Sequence, residues 1–304
     1  SSDLKNGKSV SLPPSVTSPS RLANTSTSLT SNAPIGVFDS GMGGLSVLRH
    51  VHALLPAEEL LYFADSGFAP YGEKPESVIV ERVLSIAEFL QTFHVKAMVV
   101  ACNTATAAAI SALRSQYPYM HVVGVEPGLK PAAAITKSGV VGVLATTSTL
   151  TSEKFQKLQQ HITESVQVKF ITQACNGLVD QIEKGELNSR ATAELVERYL
   201  TPLLKHHADT IVLGCTHYPF VQSLIEHVAN VAGRRIIQVD TGEPVARQLQ
   251  RLLTQHALLR EPSATPARIQ AFTSGSRSTR ENAFHQLLGL SVSVASVEAL
   301  GPGT

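Results

Sequence analysis

Two short strings carry the residues most able to do chemistry. Val99-Val100-Ala101-Cys102-Asn103-Thr104-Ala105 and Val212-Leu213-Gly214-Cys215-Thr216-His217-Tyr218-Pro219 each run from an apolar stretch, through a small residue, to a cysteine with polar followers. The cysteine falls at the same local place twice, 113 residues apart. A thiol at a strand end, beside the free N–H groups of a following turn or helix, is expected to have a lowered pKa. A lone free cysteine is more often a buried apolar residue, and that suffices for Cys175, which lacks such a setting. It explains a matched pair less well. Two thiols on opposite sides of one carbon suit inversion of a stereocentre. A thiolate takes the proton from one face, a thiol returns one to the other, and the roles exchange in the reverse direction. The developing carbanion needs donors close by. Asn103, Thr104 and Thr216 are placed to bind a carboxylate on that carbon. His217, two residues after Cys215, could stabilise the thiolate or shuttle its proton, or be a structural histidine bonded within its loop.

Phe38-Asp39-Ser40-Gly41-Met42-Gly43-Gly44 puts a carboxylate and a hydroxyl after an apolar run and before a glycine-rich turn. The N–H groups of such a turn can hold an anion. The spacing is not G-x-G-x-x-G, so a dinucleotide site is poorly supported, and Asp39 could equally be a helix cap. Pro70-Tyr71-Gly72-Glu73-Lys74 could offer a hydroxyl and an N–H to a ligand, but by itself it reads as a Pro/Gly turn. His50/His52 and His206/His207 have no Cys or acidic partner at metal-ligand spacing and read as surface residues. No zinc pattern is present, so no metal site is expected.

These strings need a frame. Apolar runs at 35–38, 60–64, 97–101, 121–125, 140–144, 166–172, 210–213, 236–239 and 268–272 alternate with helical patterns such as 45–55, 75–92 and 104–116. Strand–helix alternation predicts an α/β fold with mainly parallel sheets covered on both faces. Ligands then lie beyond the carboxyl ends of strands, where the polar strings above fall.

The chain has 304 residues, 43% of them hydrophobic and 16% charged, with a formal net charge of +1. That is a globular composition of two-domain size, without the basic stripe that nucleic-acid binding usually shows. Three cysteines make no disulfide framework and suggest the cytosol. No apolar run reaches the ~18 residues of a membrane span, and no signal peptide is visible. Residues 1–33 hold ten Ser and four Thr and few large apolar side chains, so they read as a disordered leader.

The quoted strings, together with Gly124-Val125-Glu126-Pro127 and Val239-Asp240-Thr241-Gly242, closely resemble the bacterial glutamate racemases, in the right order from Ile35 to at least Arg247. Met42 and Ser66-Gly67-Phe68-Ala69 depart from the family pattern, and the leader has no counterpart in it. The resemblance implies two pseudo-symmetric α/β domains with the site in the cleft between them. One would be discontinuous, 34–125 plus 240–304, and the other 126–239. Cys102 would exchange the proton on the D-glutamate face and Cys215 on the L-glutamate face. Asp39 and His217 would assist, with an acidic residue from the 175–185 segment, Glu183 by position or Asp180 in competition. Substrate contacts would come from Asp39, Ser40, Tyr71, Gly72, Asn103, Thr104, Thr216 and His217. The family implies no cofactor, a cytoplasmic enzyme supplying D-glutamate for peptidoglycan, and a possible homodimer. An aspartate or hydantoin racemase, a two-lobed binder of acidic metabolites and a thiol redox protein are the competing readings. The last is disfavoured by the lack of C-x-x-C.

Overall fold

The computed structural model describes residues 29–263 and 267–297. The first unit runs β1 (Ile35–Asp39), α1 (Leu45–Leu54), β2 (Leu60–Ala64), α2 (Glu76–Gln91), β3 (Ala97–Val100), α3 (Asn103–Gln116) and β4 (His121–Gly124). The chain continues through α4 (Leu129–Ile135), β5 (Val140–Ala145), α5 (Thr147–Thr151), α6 (Glu153–Ser165), β6 (Lys169–Ala174), α7 (Leu178–Glu183), α8 (Arg190–Lys205), β7 (Thr210–Gly214), α9 (Gln222–Val231) and β8 (Ile237–Val239). It returns through α10 (Gly242–Gln255), β9 (Ile269–Thr273), α11 (Arg277–Leu288) and β10 (Val294–Ser296). One sheet has the order β10-β9-β2-β1-β3-β4 and the other β6-β5-β7-β8. Every pairing is parallel.

Both faces of each sheet are covered, which is why the central strands read as unbroken apolar runs. In β1, Ile35 and Val37 face one core and Phe38 the other. In β3, Ala97 and Val99 oppose Met98 and Val100 in the same way. In β7, Ile211 and Leu213 join the first of these cores, while Val212 packs under α4 and α6. That first core is continuous from one sheet to the other, through α1 and α10.

Three details differ from expectation. β6 starts at Lys169, because Val166 is the exposed residue that ends α6. β10, at the edge of the larger sheet, has only three residues and leaves no periodic signal. His50 and His52 are half-buried rather than surface residues, and His50 Nε2 lies 3.9 Å from Asp240. Residues 1–28 of the expected leader lie outside the described residues. Residues 29–33 lie against the first unit, where Ser31 O accepts from the buried Lys96 Nζ.

Candidate active site

Strand ends from both sheets converge on one small cavity. Its lining includes Ser40 after β1, Cys102, Asn103 and Thr104 after β3, Thr146 after β5, and Cys215, Thr216 and His217 after β7. Pro70, Tyr71, Gly72 and Val179 complete it. The cavity measures about 10 Å³, room for roughly one water, so the cleft is narrow. A larger hollow of about 660 Å³ lies between β4 and α10, with none of the three cysteines in its wall.

Cys102 caps α3, its Sγ accepting from Ala105 N at 3.4 Å, and the thiol reaches Ser40 Oγ at 3.7 Å. The helix start was expected to lower its pKa. Burial, and then the Asp39 carboxylate nearby, instead push the thiol well above its ordinary value. Desolvation of a fully enclosed thiolate outweighs one N–H and the helix dipole. Cys215 Sγ lies 3.6 Å from His217 Nδ1. On its other side, His217 Nε2 lies 2.6 Å from Glu183 Oε1. Burial alone would lower the imidazole pKa, but the Cys215 and Glu183 contacts dominate and hold it well above the usual range. Burial works against ionisation of Glu183, yet His217, Arg280 and the Met42 N–H bring its pKa down to about 2. A carboxylate, an imidazole and a thiol thus form a buried chain.

The glycine-rich turn after β1 does hold an anion, but one of the chain's own. Met42 N donates to Glu183 Oε1 at 2.7 Å, and Gly41 N donates to Asp39 Oδ2 at 2.9 Å. A side chain on Gly41 would meet Glu183 Oε1 at 2.0 Å, and one on Gly43 would meet His217 Nδ1 at 2.4 Å. The glycines therefore let the turn press against residues beside the second sheet. Asp39 is not the N-cap of α1, a place taken by Gly44. Its Oδ1 accepts from Thr216 Oγ1 at 3.1 Å across the cleft, and burial raises its pKa.

Asn103 is buried with both amide atoms unpaired. An unsatisfied amide beside a cavity signals a missing partner. Thr104 Oγ1 bonds Thr146 Oγ1 at 2.9 Å, so its hydroxyl spans the cleft. Tyr71 contributes its body to the wall, but its hydroxyl donates to Asp65 Oδ2 at 2.5 Å and is not offered to the cavity. Arg82 Nη2 and Ser274 Oγ fill out the Asp65 carboxylate, each at 2.7 Å. Asp180, the competitor of Glu183, is half-buried by an outer hollow with Gly72 and Asn176; Glu183 makes the His217 contact.

Sequence reasoning passed over Thr146 and Arg280. Thr146 follows an apolar strand, so the strand-end rule that found the cysteines could have found it. Arg280 Nη1 donates to Glu183 Oε2 at 2.8 Å, and nothing in its local sequence announces this. Among the described residues, no group of three or more His, Cys, Asp or Glu is arranged to hold a metal.

Two parallel α/β layers that bring a pair of strand-end thiols to one cavity are the frame these residues build. A model of the Asp/Glu/Hydantoin racemases matches residues 35–241, more than half of the chain, and the chain belongs to that family. Its branch is that of the glutamate racemases. It is 55% identical over 238 residues to the glutamate racemase of Ectopseudomonas mendocina, covering 78% of this chain and 89% of that one. A glutamate racemase isoform from Bacillus anthracis superposes with a TM-score of 0.79 at 33% identity, over 88% of this chain and 98% of its own. The Escherichia coli glutamate racemase, solved with L-glutamate and the activator UDP-MurNAc-ala, gives 0.73 at 32% identity, over 88% and 99%.

Proposed function

We propose that this chain interconverts L-glutamate and D-glutamate by two-base proton transfer between Cys102 and Cys215. The observation that carries the mechanism is that thiols from the ends of β3 and β7, in different sheets, line one water-sized cavity. With the α-carbon between them, Cys215 takes the proton of L-glutamate and Cys102 returns one to the opposite face; the reverse direction exchanges the roles. His217, backed by Glu183, accepts and returns the Cys215 proton. Among its described contacts Cys102 has no imidazole; Asp39 and Ser40 stand on its side. The unpaired Asn103 amide binds the α-carboxylate, with Thr104 and Thr216 beside it. Asp39 receives the ammonium, and the Ser40 and Tyr71-Gly72 wall takes the far end of the substrate. A dry site keeps these interactions strong while charge builds on the carbon.

The two lobes are read as 34–125 plus 240–304 and 126–239, parting to admit substrate. The product D-glutamate supplies peptidoglycan synthesis. Three free cysteines suit a cytoplasmic enzyme. Among the described residues, no helix is long and apolar enough to cross a membrane. A homodimer is expected, read out by sedimentation.

The test is circular dichroism of L-glutamate and D-glutamate with purified protein in reductant, no cofactor added, beside Cys102→Ala and Cys215→Ala. Inversion in both directions, lost in each variant, is the expected result. Activity on aspartate alone overturns the substrate. No inversion and no α-proton exchange from a folded sample overturns the reaction.

A further inference from the structure

Arg280 lies outside the stretch that the family model matches, on α11 of the larger sheet's unit. Glu183 belongs to α7 beside the smaller sheet. The residue is 5% exposed, and its bond to Glu183 joins residues 97 apart in the chain.

Glu183 is badly placed to be an anion on its own account. It is the last residue of α7, and the carboxyl end of a helix disfavours negative charge. Its two oxygens are used differently. Oε1 is shared by Met42 N and His217 Nε2. Oε2 has Arg280 Nη1 as its partner among the described contacts. A carboxylate held only through Oε1 can swing about its terminal bond, because that torsion is soft. Pinning Oε2 fixes its plane and keeps Oε1 on the imidazole. Arg280 also shares the carboxylate's charge, so Glu183 does not hold the His217 proton too tightly to release it. The arginine is held in turn: α11 packs Phe284 edge-on against Tyr62, with ring centroids 5.6 Å apart, and Tyr62 Oη donates to Gly41 O at 2.8 Å. The turn carrying Met42 and the helix carrying Arg280 therefore form one support under Glu183.

We propose that Arg280 is a positioning residue for the Cys215 side of the reaction, fixing Glu183 so that His217 stays aimed at the thiol. This rests on the two-thiol reading above and deepens it. Arg280 touches neither the cavity wall nor, by this reading, the substrate, so its removal lowers kcat more than it raises KM.

The experiment is a double-mutant cycle. Steady-state racemisation is measured for wild type, Arg280→Met, Glu183→Gln and the double variant, with Cys102→Ala and Cys215→Ala in the same assay. Loss of a charge-assisted bond predicts a fall in kcat of about tenfold or more for Arg280→Met, with KM within about twofold. In the Glu183→Gln background, the same change has less than about twofold effect, because coupled residues are non-additive. Arg280→Lys, which keeps a cation, recovers most of the loss. An equal fall in kcat with and without the Glu183 carboxylate, or a change in KM alone, overturns the proposal. If Arg280→Met does not fold, Arg280→Gln takes its place in the cycle under the same criteria. Full activity in either cysteine variant would sink the two-thiol reading itself, an outcome separate from additivity in the cycle.

Discussion

Replacing Gly43 with alanine measures how closely the first sheet's turn presses on His217. The added Cβ would lie 2.4 Å from His217 Nδ1 and 2.5 Å from Thr216 Oγ1. Ordinary contact begins near 3.4 Å, so one side must retreat by about 1 Å. Neither neighbour is a loose side-chain tip. His217 is 1% exposed and pinned by Glu183 at 2.6 Å, and Thr216 is tied to Asp39. Overpacking of this kind costs about 1–3 kcal/mol, a melting shift of a few degrees for a chain of this size. The effect on rate is larger. The 3.6 Å contact between Cys215 and His217 opens, and a 1 Å misplacement of catalytic groups costs about 100-fold. Gly36→Ala is the control, since its nearest neighbour is the end of the Leu90 side chain at 3.1 Å. The assay is kcat and KM in both directions by circular dichroism, with melting curves. Folded Gly43→Ala with kcat within about threefold of wild type would refute this geometry.

Lys96 is fully buried against Glu58 at 2.6 Å. Lys96→Met leaves that buried carboxylate without its cation and lowers stability by about 3–5 kcal/mol, read by denaturant melts, while the folded fraction keeps its kcat. Tyr71→Phe removes a hydroxyl that serves Asp65 rather than the cavity, so it costs stability of about 1–3 kcal/mol and leaves kcat nearly unchanged. A collapse of kcat in that variant would mean the hydroxyl turns to substrate. Glu183 has its pKa depressed from 4.5 to about 2 in the fold. Its stabilisation, on the order of 3 kcal/mol, is complete above about pH 4.5 and lost as pH falls through about 2. Wild type should therefore lose melting temperature across that window more steeply than Glu183→Gln. Parallel curves would contradict the buried ion pair.

Much of the frame was legible because parallel strands covered on both faces must be apolar throughout. β2 spans the expected 60–64, and β1, β3, β4, β5, β7, β8 and β9 lie within a residue or so of their expected limits. β6, at an edge and partly exposed, blurred into the end of α6. The cysteines were legible because two strand ends repeat the same local order. The ionisation of Cys102 was not: a sequence shows the helix start next to it, but not the burial that outweighs it. The glycine turn was read as an anion site, and the identity of the anion is a tertiary fact. Arg280 was hidden because Arg277-Ser278-Thr279-Arg280-Glu281 has the composition of a solvated helix face. Only the approach of α7 turns one of its arginines inward.

The narrowness of the cavity has a consequence for timing. Bonds that join the two sheets' units around it include Ser148 Oγ to Gly72 O at 2.6 Å, Thr104 to Thr146, Ser46 Oγ to Thr216 O at 2.8 Å and Thr216 to Asp39. A space that admits about one water cannot take in an amino acid, or let one go, with all of them intact. Each catalytic cycle thus contains a small, reversible breach of the fold, twice over. Bonds that strengthen the resting protein lengthen the wait between molecules, so a more stable variant of this chain need not be a faster one.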